Sequence, residues 1–124
     1  MRLYTKDHTW ALADGNRVRV GVSGFAQSEL GDIAYVELPA LSKGIQRGEV
    51  ACTVDSLKSS SEVYAPVGGT VVEVNAALAS EENARLVNSD PLGAGWLFVI
   101  EMSDPRDLDL LLSEEQYESY INGS

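Results

Sequence analysis

Across its first two thirds the chain is cut into short runs of strand character, each closed by a turn signal. Runs this short cannot stand alone and have to collect into sheets. Residues 8–13 and 17–22 flank Asp14-Gly15-Asn16, the pattern of a hairpin around a glycine-containing turn. Residues 32–38 form a strand ended by Pro39, and residues 48–54 place Val50, Cys52 and Val54 on one face by period-two alternation. Residues 62–65 are a strand broken by Pro66, and Gly68-Gly69 turns the chain into another at 70–74. Residues 95–102 make a strongly apolar strand. Helices fall between and after these runs. Ser23 is a candidate N-cap for a short helix closed by Gly31. Residues 75–85 hold a short helical piece, and Asp104 precedes Pro105 as cap and first helical residue. Ser113-Glu114-Glu115-Gln116 reads as a capping box, with Tyr117, Tyr120 and Ile121 on one face of the helix it starts. The sum is a mostly β body, a flattened barrel or sandwich, with short peripheral helices and a C-terminal helix.

At 124 residues, 44% of them apolar, the chain can bury one core, and it is expected to be a single domain over 1–124. No stretch approaches the roughly 18 unbroken apolar residues of a membrane span. The opening residues lack the apolar run of a signal peptide and the Arg- and Ser-rich character of a transit peptide, so the expected location is cytoplasmic. One cysteine, Cys52, fits a reducing compartment and a core position. Nine basic residues against 19 acidic ones give a net charge of −10. That balance argues against nucleic-acid and membrane binding, favours a monomer, and suits partners with basic docking sites. With His8 as the only histidine, a multi-histidine metal site is excluded, and the residue reads as packed or surface. Trp10, Trp96 and Tyr64 read as core or cleft wall. There is no phosphate loop, no Ser-His-Asp order and no Cys-x-x-Cys.

The segment with chemical content is Val54-Asp55-Ser56-Leu57-Lys58-Ser59-Ser60-Ser61-Glu62. Strand-patterned runs flank residues 56–60, which are small and polar as a tight turn requires. Lys58 sits in the middle of that turn. A Schiff-base or general-base lysine needs burial to lower its pKa, and nothing around Lys58 suggests a pocket. On residue types alone Lys58 is either a solvated surface lysine or a lysine held out for covalent modification.

Asp55-Ser56-Leu57-Lys58-Ser59 resembles the lipoyl-attachment motif of glycine cleavage H proteins, Glu-Ser-Val-Lys-Ala in its usual form. The continuation through Val63-Tyr64-Ala65-Pro66-Val67-Gly68-Gly69 and Thr70-Val71-Val72-Glu73-Val74-Asn75 is similar to that family as well. So are Tyr4-Thr5-Lys6-Asp7-His8-Thr9-Trp10, Phe25-Ala26-Gln27, Leu30-Gly31-Asp32-Ile33, Val36-Glu37-Leu38-Pro39, Leu86-Val87-Asn88-Ser89-Asp90-Pro91 and Gly95-Trp96-Leu97, in the family's order over nearly the whole chain. The resemblance implies a lipoyl/biotinyl-carrier-like flattened barrel, or hybrid sandwich, with lipoate attached covalently to Lys58 and Asp55, Ser56, Leu57 and Ser59 forming the attachment motif.

It also implies a non-catalytic carrier that shuttles the aminomethyl intermediate of glycine decarboxylation. Its partners would be a pyridoxal-phosphate glycine decarboxylase, a tetrahydrofolate-dependent aminomethyltransferase, a dihydrolipoamide dehydrogenase, and a lipoate ligase or lipoyl/octanoyl transferase. No metal is implied. By matching positions, Asp7 and Glu62 supply carboxylates to a cleft in which the cationic loaded arm rests, and Thr9 supplies a hydroxyl where the family usually has Glu. Asp55 and Leu57 replace the usual Glu and Val, Leu92 replaces an aromatic, and the 75–88 connection is slightly longer and lacks a common proline. Thr9 leaves open a second reading, an H-like carrier that relays lipoate to 2-oxoacid dehydrogenases or shuttles another metabolite. Biotin is disfavoured because Leu57 and Ser59, not methionines, flank the lysine.

Overall fold

In the computed structural model, which describes residues 2–123, two antiparallel sheets face each other across one apolar core. The larger is six-stranded, in the order β1-β2-β3-β9-β8-β5. Its strands are β1 (Arg2–Tyr4), β2 (Thr9–Asp14), β3 (Arg17–Val22), β5 (Gly44–Ile45), β8 (Gly69–Val74) and β9 (Phe98–Met102). The smaller is three-stranded, β4-β6-β7, from β4 (Ile33–Glu37), β6 (Val50–Ser56) and β7 (Ser60–Tyr64). The result is the flattened, barrel-like body expected, with its short helices outside the sheets.

The β2–β3 hairpin forms as its turn signal requires. Pairing runs from Thr9↔Val22 to Asp14↔Arg17, and Gly15 takes φ 63° at the first loop position, where a two-residue hairpin turn of type II′ needs a positive φ. Alternation then sends Val18 and Val20 inward and Arg17 and Arg19 outward. The opposite sheet contributes Ile33, Val36, Cys52, Val54 and Val63. Each fully buried valine of this kind stabilises the fold by about 1.5–3 kcal/mol relative to an exposed one.

Two expectations shift in detail. The register slips between Val50 and Cys52, so a bulge at Ala51 turns Val50 outward (36% exposed) and Ala51 inward, and only Cys52 and Val54 keep the shared inner face. The apolar strand at 95–102 begins at Phe98, because the chain is still turning at Gly95 and Trp96, where Trp96 N–H bonds to the Gly93 carbonyl.

The helices are short. Helix α1 (Gly24–Leu30) is capped by the Ser23 hydroxyl, which accepts from Ala26 N–H at 3.1 Å, and is closed at Gly31. The helical piece at 75–85 resolves into 3₁₀ turns at Ala76–Ala79 and Asn83–Arg85, followed by α2 (Leu86–Ser89). A 3₁₀ turn at Pro105–Leu110 starts where Asp104 accepts from Arg106 N–H. The capping box of α3 (Glu114–Gly123) is reciprocal: Gln116 N–H donates to Ser113 Oγ at 3.1 Å, and Ser113 N–H donates to Gln116 Oε1 at 2.9 Å. Tyr4 and Leu112 exchange backbone hydrogen bonds of 2.8 and 2.7 Å just before it. The Tyr4 and Tyr117 rings then stack 4.5 Å apart, fixing α3 over Tyr4 and the buried Trp10.

Candidate functional site

The β6–β7 hairpin carries Lys58, and the apolar row beneath it decides which residue stands at its tip. Cys52↔Val63 and Val54↔Ser61 face the core, while Thr53↔Glu62 and Asp55↔Ser60 face out. A one-residue slip would expose Cys52, Val54 and Val63 together, so this register is strongly held. Residues 56–59 are left to turn. Ser56 N–H donates to the Ser59 carbonyl at 2.8 Å, and the Ser56 hydroxyl donates to the same carbonyl while accepting from Ser59 N–H at 3.0 Å and Lys58 N–H at 3.3 Å. One side chain thus satisfies the amides of a tip too short to satisfy its own.

Leu57 and Lys58 are exposed, Leu57 to 74%. Leu57 N–H donates to the Asp32 carbonyl at 3.0 Å, joining the tip to the corner after α1. Lys58 lies along that corner: a Cβ on residue 31 would sit 3.3 Å from Lys58 Cε and 3.8 Å from Nζ. Gly31 has φ 81° and ψ −156°, a conformation essentially reserved for glycine, so backbone and neighbour both require it. Among the described residues the one ion pair is Arg106–Asp104, and Lys58 is tied to no carboxylate.

Beside this corner opens a cavity of about 310 Å³, walled by Phe25, Ala26 and Leu30 on the apolar side and by Asp7, His8, Glu29 and Ser61 on the polar side. Leu30 precedes Gly31 and Ser61 lies on β7, so two of its lining residues belong to the elements that flank the Lys58 tip. His8 holds its wall with φ 68°, rare outside glycine, and its ring sits 4.8 Å from that of Phe25. Asp7 and Glu62 are both exposed, and the Tyr64 hydroxyl donates to Glu62 Oε1 at 3.4 Å. The Glu62 carboxylate pushes the Tyr64 phenol above its ordinary value, and Asp7 adds to the push. No group of three or more potential metal ligands is found among the described residues.

A profile described as "Glycine cleavage H-protein" matches residues 2–124. The chain belongs to the glycine cleavage H-protein family. The glycine cleavage system H protein of one Thermus thermophilus strain is 48% identical over 120 residues, which cover 97% of this chain and 92% of that one. The H protein of Methylocella silvestris is 48% identical over 118 residues, covering 95% and 93%. The crystal structure of the H protein from Mycobacterium marinum superposes with a TM-score of 0.85 at 35% identity, covering 99% of this chain and 97% of that one.

For this H-family chain the geometry gathers most of the residues singled out from sequence. Lys58, Ser56, Leu57 and Ser59 form the tip, Asp55 and Glu62 lie on the outer face with Glu62 bonded by Tyr64, and Asp7 lines the cavity. Thr9 is absent from the cavity's lining residues. It is only 1% exposed as the first residue of β2, paired with Val22, so its hydroxyl does not line the open cleft. Its backbone closes the turn instead, accepting from Thr5 N–H at 2.9 Å and donating to Thr5 Oγ1 at 3.2 Å. Sequence reasoning misses Phe25, Leu30, Glu29 and Ser61 as cleft residues; the pattern of α1 marks Phe25 and Leu30 only as apolar.

Proposed function

We propose that Lys58 carries a lipoyl group in amide linkage to Nζ and that the chain shuttles the aminomethyl fragment of glycine decarboxylation, as the carrier subunit of the glycine cleavage system and not as a catalyst. The observation that carries this reading is an exposed lysine, tied to no carboxylate among the described residues, at a hydrogen-bonded hairpin tip whose flanking elements line a cavity with an apolar wall and a carboxylate rim. The donor suits the linkage, since amide formation needs a free, deprotonatable amine that an acylating enzyme can reach.

When bound, the lipoyl group supplies a dithiolane that accepts and releases the one-carbon fragment. The chain's own residues do the remaining work. Ser56 and the β6–β7 register hold the base of the arm in one place. Phe25, Ala26 and Leu30 exclude water from a group resting in the cavity. Asp7, which lines the cavity, favours a cation there through charge-assisted contact, and the exposed Glu62 on the neighbouring hairpin adds negative charge. The partners are the pyridoxal-phosphate decarboxylase, the tetrahydrofolate-dependent aminomethyltransferase, the dihydrolipoamide dehydrogenase, and a lipoate ligase or lipoyl/octanoyl transferase. The net charge of −10 suits a monomer that meets basic docking sites. Lipoate relay to other dehydrogenases rests on Thr9 alone, and the Asp7 and Glu29 carboxylates that line the cavity keep it suited to a cationic cargo.

Lys58→Arg tests the assignment. Arg keeps the charge and length but its guanidinium stays protonated and cannot form the amide. The variant is expected to fold and to gain no lipoyl mass when incubated with a lipoate ligase, ATP and lipoate. Lipoyl mass on the Arg variant would sink the reading.

A further inference from the structure

The corner beneath Lys58 is held by a side chain far from it in sequence. Asn88, on α2, has a half-buried carboxamide that is fully engaged. Its Oδ1 accepts from Ile33 N–H at 2.8 Å, and its Nδ2 donates to the Gly31 carbonyl at 2.8 Å and to Gln27 Oε1 at 2.9 Å. The two backbone groups it grips bracket Asp32, and the Asp32 carbonyl between them is the one that accepts Leu57 N–H. Gly31, on the near side, is the residue against which the Lys58 chain lies. The contacts run in series from Asn88 to the Gly31–Ile33 backbone, from Asp32 to Leu57, and from there to Lys58.

We infer that Asn88 is a positioning residue for acylation of Lys58, acting through the Gly31–Asp32 corner. This rests on the reading of Lys58 as the lipoylated residue. The corner needs one acceptor and two donors from a single side chain, and only a carboxamide supplies both in this geometry. Aspartate keeps the acceptor for Ile33 N–H but sets an oxygen against the Gly31 carbonyl and Gln27 Oε1. With the corner loosened, the Leu57 amide loses its fixed partner and the neighbouring amine no longer meets an activated acyl group in one orientation. Small misplacements of a reacting group cost far more in rate than in stability.

The test compares the full chain with Asn88→Asp and with Ile100→Val, a core truncation on the opposite sheet that lowers stability without touching the corner. Two quantities are read at a temperature where all three are folded. One is amide hydrogen exchange at Leu57 in the unmodified chain. The other is the steady-state kinetics of lipoyl transfer by a lipoate ligase with ATP and free lipoate. Asn88→Asp is expected to speed Leu57 exchange and to lower kcat/KM for transfer by about tenfold or more, chiefly in kcat. Ile100→Val is expected to leave both near the parent values.

Transfer to Asn88→Asp at the parent rate overturns the inference, as does an equal loss in Ile100→Val. If instead the parent chain takes no lipoyl group on Lys58, the functional reading itself fails and the inference falls with it. The two failures are distinguished by which protein is silent.

Discussion

His8 and Tyr117, 109 positions apart in the chain, meet ring nitrogen to hydroxyl at 2.7 Å. The same hydroxyl lies 2.7 Å from Ser23 Oγ, and Ser23 in turn caps α1. The C-terminal helix therefore fixes both the left-handed residue in the cavity wall and the start of the helix that lines it. Tyr117→Phe keeps the stack on Tyr4 but leaves a buried Ser23 hydroxyl and His8 Nδ1 without their partner. Unfolding in urea is expected to show a loss of about 1–3 kcal/mol with an unchanged slope. A stability equal to the parent's would mean that the hydroxyl is not holding the wall.

Gly31→Ala meets two obstacles, a backbone conformation that side chains avoid and the Lys58 chain lying over it. The strain alone is worth about 1–3 kcal/mol. Thermal unfolding should show that loss, and the Lys58 side-chain resonances should shift as the chain is displaced. An alanine variant as stable as the parent, with unmoved Lys58 resonances, would contradict the corner geometry.

Tyr64 reports on the Glu62 carboxylate. Since Glu62 is the largest cause of its raised phenol pKa, Glu62→Gln should bring the Tyr64 titration back down toward its ordinary value, and Asp7→Asn should do so to a lesser degree. In the loaded carrier, the double variant should release ammonia and formaldehyde faster. A hydrogen bond to a charged group contributes about 1.5–3 kcal/mol, so losing one shifts resting and free populations by at least about tenfold. Unchanged decay would make these carboxylates ordinary surface groups.

Where neighbours in sequence are neighbours in space, the fold was legible from residues. The Gly15 turn, the Ser23 cap, the Ser113–Gln116 box and the small polar tip around Lys58 all follow from local chemistry. The bulge at Ala51 was not legible, because alternation assumes one-for-one pairing and the extra residue is visible only against β7. Asn88 under Gly31, Tyr117 on His8, and Asp7 with Leu30 and Ser61 about the cavity are meetings between distant segments, and no single-segment pattern announces them. The burial of Thr9 was not legible for the same reason: a polar side chain at a strand start carries no mark of being covered.

Cys52 gives a pH dependence. Burial is the main cause pushing its thiol from an ordinary 9.0 up to about 12, with Glu37 adding to it. Between those values the folded chain keeps a proton that the unfolded chain gives up, so stability falls as pH rises through the window and is fully present below it. Tyr4 and Tyr117, also raised chiefly by burial, act in the same direction. Cys52→Ala should shallow the alkaline slope by up to about 1.4 kcal/mol per pH unit and leave the neutral-pH slope alone. An unaltered slope above pH 9 would show that the thiol ionises freely in the fold.

The paired backbone bonds between Tyr4 and Leu112 bear on how the molecule behaves in a crowd of its own copies. Strand β1 ends the larger sheet, and its free side would otherwise offer unpaired amides and carbonyls as a template for another chain. Leu112 occupies that template from within, and β5 at the far end is only two residues long. The last turn of chain before α3 therefore works as an edge guard. A protein cut before Leu112 would lose more than a helix: it would expose a strand poised to recruit its neighbours, and aggregation rather than simple unfolding would be the first sign.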